Sequence, residues 1–211
     1  MKNKVLIFGA GGHGKVILDI LLKSNIDILG FLDEDKDKIG KEISGFKILG
    51  DWAYLDKKKS VSIVLGIGSN VVREKIFIKA KKLGIKIDSA IHPQAIIANG
   101  AKIGEGVVIM PAAVIGPDTV LEEGVVINTS ASVDHDCHLE RFCQIWPGAN
   151  LAGSIKVGKF SYIGTGASVI QNINIGNNVM VGSSSAVISD IPDNVTVVGV
   201  PAKIIKRGIK K

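Results

Sequence analysis

Residues 103–139 read IGEGVVIMPAAVIGPDTVLEEGVVINTSASVDHDCHL, and every sixth residue is a branched aliphatic: Ile103, Ile109, Ile115, Leu121, Ile127, Val133 and Leu139. The step continues without insertion in both directions, back through Ile97 to Ile91 and forward from Ile145 through Leu151, Val157, Ile163, Val169, Ile175 and Val181 to Val187. A period of six fits neither an amphipathic helix nor a simple alternating strand. It is the signature of a solenoid in which one large side chain per short strand points inward and stacks on its equivalent 18 residues later. Four residues after each aliphatic sits a small or moderate residue, among them Ala95, Ala101, Ala113, Thr119, Ala131, Cys137, Cys143, Ala149, Ser161 and Ala167. This predicts a second inward position near each corner that admits only a small side chain. Gly104, Gly116, Gly158, Gly164, Gly176 and Gly182 directly follow an aliphatic and are expected to relieve the tight corners. The frame amounts to about five coils, each unable to bury its face alone, with strands pairing between successive coils and few free edges.

The bulk properties agree with a folded chain. Its 211 residues suffice for one large or two modest domains, 46% are hydrophobic, and glycine is abundant at 25. The opening MKNKVLIFGAGGHG breaks into glycines before a signal-peptide apolar region is complete. Apolar runs stay far short of the roughly 20 residues that span a bilayer, so a cytoplasmic protein is expected. The net charge of +6 is spread over scattered lysines without interleaved aromatics, which fits anionic small ligands or a solvated surface better than nucleic acid. Cys137 and Cys143 both fall on the small inward position and read as core fillers, forming neither a disulfide framework nor a metal site. His92, before Pro93, reads as structural.

Residues 1–84 carry a different pattern. Lys4-Val-Leu-Ile-Phe8 is an apolar run followed by Gly9-Ala-Gly-Gly-His-Gly14, and Lys15–Lys23 then shows helical spacing. Strand, glycine turn and helix open a βαβ unit. A second run, Ile28–Leu32, ends in Asp33-Glu34-Asp35, where a dinucleotide fold would place an acid near a ribose hydroxyl. A third, Val61–Gly68, leads into a helix over Val71–Leu83 with Ser69 or Asn70 as N-cap. The expectation is a small α/β domain with a parallel sheet, its glycines bringing backbone N–H groups and a helix N-terminus toward a phosphate. It is too short for a complete dinucleotide fold, which argues against hydride transfer. Residues 85–211 form the β-helix domain with a C-terminal tail.

Val133-Asp-His-Asp-Cys-His138 is where the repeat turns polar. His135 lies two residues past the inward Val133 and should face outward, flanked by acids. Imidazole titrates near neutrality, as a general base at pH 7 requires.

Together, Gly9–Gly14, Phe31-Leu-Asp33, Gly66-Ile-Gly-Ser-Asn70 with Arg73, Ile91-His-Pro93, Ile127-Asn128, Val133–Cys137, Pro147-Gly-Ala149 and Gly199-Val-Pro-Ala202 resemble one family over essentially the whole chain. It is the hexapeptide acyltransferases, in the branch of bacterial sugar O- and N-acetyltransferases that includes the sialic acid O-acetyltransferases and the UDP-4-amino-sugar N-acetyltransferases. The resemblance implies a left-handed parallel β-helix behind a nucleotide-sugar-binding α/β domain, with acetyl-CoA as co-substrate and no metal. It also implies a homotrimer with active sites between subunits. His135 would be the base, Asp136 its orienting acid and Asn128 a residue bordering the acceptor, with His138 a reserve base. Gly11, Gly12, His13 and Gly14 would lie near the diphosphate and Asp33 near the base or ribose, with Gly68, Asn70 and Arg73 closing the pocket. Gln144, Gly148, Ala149, Gly166, Ser184 and Lys203 would line the coenzyme, and Lys156, Lys159 and Arg207 could meet its phosphates. Two positions depart from the family pattern: Gln144 stands where histidine is common, and Trp146 is larger than the usual serine.

The reading that follows is acetyl-CoA-dependent N-acetylation of a UDP-linked 4-amino-4,6-dideoxy sugar by direct transfer, since both cysteines point inward and offer no acyl carrier. Its rivals are O-acetylation of sialic acid or a related sugar, N-acetylation of a GDP-linked amino sugar, and a non-catalytic scaffold that binds nucleotide sugars. A nucleotidyltransferase is disfavoured, since no clear set of metal-binding carboxylates is present.

Overall fold

The computed structural model describes residues 4–56 and 61–208, so the end of the C-terminal tail lies outside the described residues. The chain divides into two compact units between Pro93 and Gln94. In the first, β1 (Lys4–Phe8), α1 (Gly12–Lys23), β2 (Ile28–Leu32), β3 (Glu42–Ile43), β4 (Phe46–Gly50), α2 (Trp52–Asp56), β5 (Val61–Leu65), α3 (Asn70–Lys82) and β6 (Lys86–Ile87) follow in order. The sheet runs β3-β4-β2-β1-β5-β6, parallel throughout except for the β3–β4 hairpin. Leu6, Ile7 and Phe8 of β1 are buried at its centre, and Ile17, Leu18, Ile20 and Leu21 of α1 pack inward.

Two differences from the sequence expectations have simple causes. Helix α1 starts at Gly12, ahead of Lys15, because its first turn is built of glycines and His13 that carry no apolar periodicity. The β3–β4 hairpin was not expected; it turns on Ser44 and Gly45, both with positive φ, the pair that a two-residue hairpin of this hand requires. Strand β6 pairs with β5 through Ser62–Lys86 and Ile63–Ile87, which keeps the residues just past 84 with the first sheet.

The second unit is a parallel β-helix of two-residue strands. One face stacks 108–109, 126–127, 144–145, 162–163 and 180–181, then Val195–Val198 and the antiparallel Lys203–Arg207. A second stacks 96–97, 114–115, 132–133, 150–151, 168–169 and 186–187, and a third 102–103, 120–121, 138–139, 156–157 and 174–175. From Ile109 to Val187 each aliphatic of the six-residue step is at most 3% exposed.

The corner chemistry is corrected in two respects. The second inward position also holds Val107, Val125, Val179, Ile155 and Ile173, all buried. Only the corner entering the second face is uniformly small, with Ala113, Ala131, Ala149, Ala167 and Ser185. The glycines after the aliphatics do not supply the turn conformation either. That role falls to every sixth residue from Gly100 to Ser184, all with φ between +52° and +86°, filled by Asp, Asn, Ser, Ala, Phe and Gly alike. Gly104, Gly116 and Gly158 are instead needed for close approach. A Cβ there would come within 2.6–2.8 Å of a backbone carbon in the next coil.

Candidate functional site

In the first unit the sheet reverses its winding direction between β1 and β5, and the crevice beyond the carboxyl ends of such strands is where open α/β sheets bind ligands. Both loops there are glycine-rich. Gly9, Gly14 and Gly66 are spent on packing: a Cβ on Gly9 would lie 2.6 Å from the Gly66 carbonyl oxygen, one on Gly66 2.8 Å from that of Gly9, and one on Gly14 would strike the Gly9 carbonyl. Gly11, Gly12 and Gly68 have open space on that side. Thus Gly14, expected against a diphosphate, holds the helix to the strand, while Gly11, Gly12 and Gly68 border the crevice. Gly11 is the N-cap of α1 and offers no side chain to its free N–H groups. At α3 the Ser69 hydroxyl accepts from the Val72 N–H at 3.5 Å.

The polar residues of this site are engaged with one another. Asp33 Oδ2 accepts from the Ala10 N–H at 2.8 Å and from Lys38 Nζ at 3.1 Å, and Oδ1 accepts from the Asp35 N–H at 2.9 Å. Burial alone would raise its pKa, but the two N–H groups and the Lys38 ammonium outweigh it and hold the carboxyl below its usual range. Arg73 was expected to close the pocket, yet it is fully buried. Its guanidinium donates to the carbonyls of Ile67 and Gly68 at 3.0 and 3.2 Å and to Asn70 Oδ1 at 2.7 Å. Arg73 and the buried Asn70 therefore shape the loop from behind. His13, in the first turn of α1, is pushed down to about 4 by burial and then by the Arg73 charge, so it is neutral at pH 7.

In the β-helix, His135 occupies the corner after the strand Ser132–Val133 and is 55% exposed. Its Nδ1 lies 2.8 Å from Asp136 Oδ2, and Asp134 Oδ1 accepts from its backbone N–H at 2.8 Å. The hydrogen bond to Asp136 raises the imidazole pKa, with the Asp134 and Asp136 charges adding to it against a smaller desolvation. The ring lies over Gly153 of the next coil. His138 is on the third face with Nε2 2.9 Å from Glu122 Oε1, so its imidazole is already paired.

Asn128 stands at a different corner, after the first face, and its amide donates to the Ile145 carbonyl at 2.9 Å. The second face separates it from His135 within one chain. Gln144 is on the first face between Val126 and Tyr162 and largely buried. Trp146 meets Tyr162 edge-on with ring centroids 5.7 Å apart. Gly148, Gly166 and Ser184 fall 18 residues apart on one left-handed corner, a column bordering the second face with little side chain. Ala149 does not join it: its methyl is fully buried, and its N–H and carbonyl bond Trp146 and Ser132. Lys203 and Arg207 are exposed on the terminal strand, Lys156 is exposed on the third face, and Lys159 Nζ lies 4.6 Å over the Phe160 ring.

Cys137 and Cys143 are buried, and burial raises the Cys137 thiol further above neutrality. No described helix is long and apolar enough to cross a membrane. No group of three His, Cys, Asp or Glu side chains among the described residues converges as a metal cluster would.

The PglD N-terminal domain family matches residues 4–80, and the bacterial transferase hexapeptide family (six repeats) matches residues 94–129. UDP-N-acetylbacillosamine N-acetyltransferase of Bacillus subtilis is 39% identical over 124 residues, which is 52% of this chain and 52% of that protein, so the match spans about half the length of that curated relative. Two solved structures are similar over nearly the whole chain. The acetyltransferase domain of PglB from Neisseria gonorrhoeae, solved also with acetyl coenzyme A, is 37% identical with a TM-score of 0.90, covering 96% of this chain and 100% of that one. PerB from Caulobacter crescentus, solved with CoA and GDP-perosamine, is 34% identical with a TM-score of 0.91, covering 98% and 99%. The periodic solenoid, the α/β unit and these likenesses together place the chain among the hexapeptide-repeat, left-handed β-helix acetyltransferases related to PglD, PglB and the perosamine N-acetyltransferases.

Proposed function

We propose that this protein transfers the acetyl group of acetyl-CoA to the 4-amino group of a nucleotide-linked 4-amino-4,6-dideoxy sugar, with a UDP-linked sugar as acceptor and the cytoplasm as its setting. The observation that carries the reading is the outward His135 imidazole with Asp136 on Nδ1. A carboxylate there keeps the proton on Nδ1 and leaves the Nε2 lone pair for the acceptor. The amine attacks the thioester carbonyl, His135 takes its proton, and the coenzyme leaves as the thiol after the tetrahedral adduct collapses. Neither cysteine is placed to carry the acyl group, so transfer is direct.

The crevice beside Gly11, Gly12 and Gly68 is suited to the diphosphate, since N–H groups at a helix N-terminus attract anions. The Gly148–Gly166–Ser184 column gives the pantetheine arm a smooth track. His135 and Asn128 stand at opposite edges of the second face, so a complete site needs a neighbouring subunit, and a closed homotrimer supplies it. A GDP-linked acceptor is the second reading, favoured by the likeness of the whole chain to a structure holding GDP-perosamine.

The test is a mass-spectrometric transfer assay offering UDP-, GDP- and dTDP-linked 4-amino sugars beside free and CMP-linked sialic acid, with His135→Ala as control. Acetylation of one nucleotide amino sugar, lost in the control, supports the proposal and names the nucleotide. Transfer only to sialic acid would move the reaction to O-acetylation. No transfer at all, in a protein that binds no coenzyme A, would leave a nucleotide-sugar-binding scaffold.

A further inference from the structure

Gly153 faces a side chain of the neighbouring coil, where Gly104, Gly116 and Gly158 face backbone. Its φ is not in the left-handed region, so the backbone does not require glycine. The three atoms nearest a Cβ built there all belong to the His135 ring, with Nε2 at 2.5 Å and Nδ1 at 3.0 Å. The same corner position is Pro117 one coil before His135 and Gln171 one coil after Gly153, so the fold accepts side chains in that column.

Behind the ring, two buried side chains tie both turns to the core by one repeated bond pattern. The Thr119 hydroxyl donates to the Asp134 carbonyl at 2.6 Å and accepts from the Cys137 N–H at 3.2 Å, closing both ends of the turn that carries His135 and Asp136. One coil on, Cys137 Sγ donates to the Ala152 carbonyl at 3.2 Å and accepts from the Ile155 N–H at 3.4 Å, closing both ends of the turn that carries Gly153. Thr119 is fully buried and Cys137 nearly so, and neither reaches the surface where a substrate would lie.

We propose that Thr119, Cys137 and Gly153 are positioning residues for His135: the two buried side chains fix the heights of adjacent turns, and the bare Gly153 gives the imidazole its floor. This also assigns Cys137, read from the sequence as a core filler, a part as hydrogen-bond donor and acceptor. The inference rests on His135 being the base, but its geometric content does not.

Its test uses the full-length protein with Gly153→Ala, Thr119→Val, which keeps the shape and removes the hydroxyl, and Thr119→Ser, which restores it. Steady-state rates and the imidazole titration of His135 by NMR, its signal assigned by loss in His135→Ala, are measured on each. Gly153→Ala should keep its melting temperature and both KM values while kcat falls about tenfold to a hundredfold, the scale expected when a reacting group is displaced by about 1 Å. The His135 titration should move toward that of a free imidazole as its hold on Asp136 loosens. Thr119→Val should do the same and Thr119→Ser should recover. Unchanged kcat and unchanged titration in Gly153→Ala would overturn the proposal, as would a Thr119→Val effect confined to stability. Should Thr119→Val fail to fold, Gly153→Ala and Thr119→Ser carry the test alone. If His135→Ala keeps full activity the base assignment fails, and the NMR titration still decides whether these residues position the ring.

Discussion

His13 and His135 are the same side chain put to opposite uses by their surroundings. His13 sits in a helical turn, half-buried near the Arg73 guanidinium, and both influences drive the proton off. His135 stands at an open corner between two carboxylates, and the bond to Asp136 draws the proton on. The first is a neutral packing group at pH 7, whereas the second holds a proton more readily than an unpaired imidazole. An imidazole beside a glycine loop and an imidazole beside an acid look equally functional in a sequence, and burial separates them.

The comparison breaks most visibly in turnover. His135→Gln should lower kcat by about 10² to 10⁴, the usual weight of general base catalysis, with no change in melting temperature because the ring is exposed. His13→Gln should leave kcat within about twofold. Comparable losses of kcat from both would erase the distinction.

A smaller effect separates them in stability. The His13 pKa is lower in the folded chain, at about 4, than its ordinary 6.5, so the unfolded chain binds more protons between those values. Its contribution is therefore complete above about pH 6.5 and lost as pH falls toward 4, by roughly 3 kcal/mol at most. Urea unfolding from pH 7 to pH 4 should show a steeper decline for the wild type than for His13→Gln, and parallel curves would contradict the half-buried neutral ring.

The smallest effect sharpens the His135 side. Asp136→Asn keeps a residue that tolerates the left-handed turn, here at φ +57°. It should cost about tenfold in kcat. Because the carboxylate raises the His135 pKa, its loss should move the acidic limb of the kcat/KM profile to lower pH. A shift to higher pH would mean that Asp136 does not act on the imidazole.

The sequence made the solenoid legible because a strict six-residue step leaves one solution for which side chains point inward, and His135 with Asp136 stood out as the polar break in that step. The turn residues were misplaced because the left-handed position is shared among Asp, Asn, Ser, Ala, Phe and Gly, whereas the conspicuous glycines serve coil contact. Arg73 was misread because a charged side chain is ordinarily exposed, and no local pattern reveals a guanidinium folded back on its own loop. Gly153 did carry a signal, an 18-residue offset from His135, which acquires meaning only once coils are known to stack in that register.

That stacking has a consequence for how such a chain can change. Which face a residue occupies is its phase within 18 positions, and the inward aliphatics repeat three times as often. Deleting six residues between Val133 and Gly148 would leave aliphatic on aliphatic throughout, yet turn every later residue onto the neighbouring face and carry the Gly148 column away from its corner. Removing a whole coil would shorten the molecule and preserve the phase. Indels in this half of the chain are thus filtered by arithmetic: multiples of six spare the fold, and only multiples of 18 spare the chemistry.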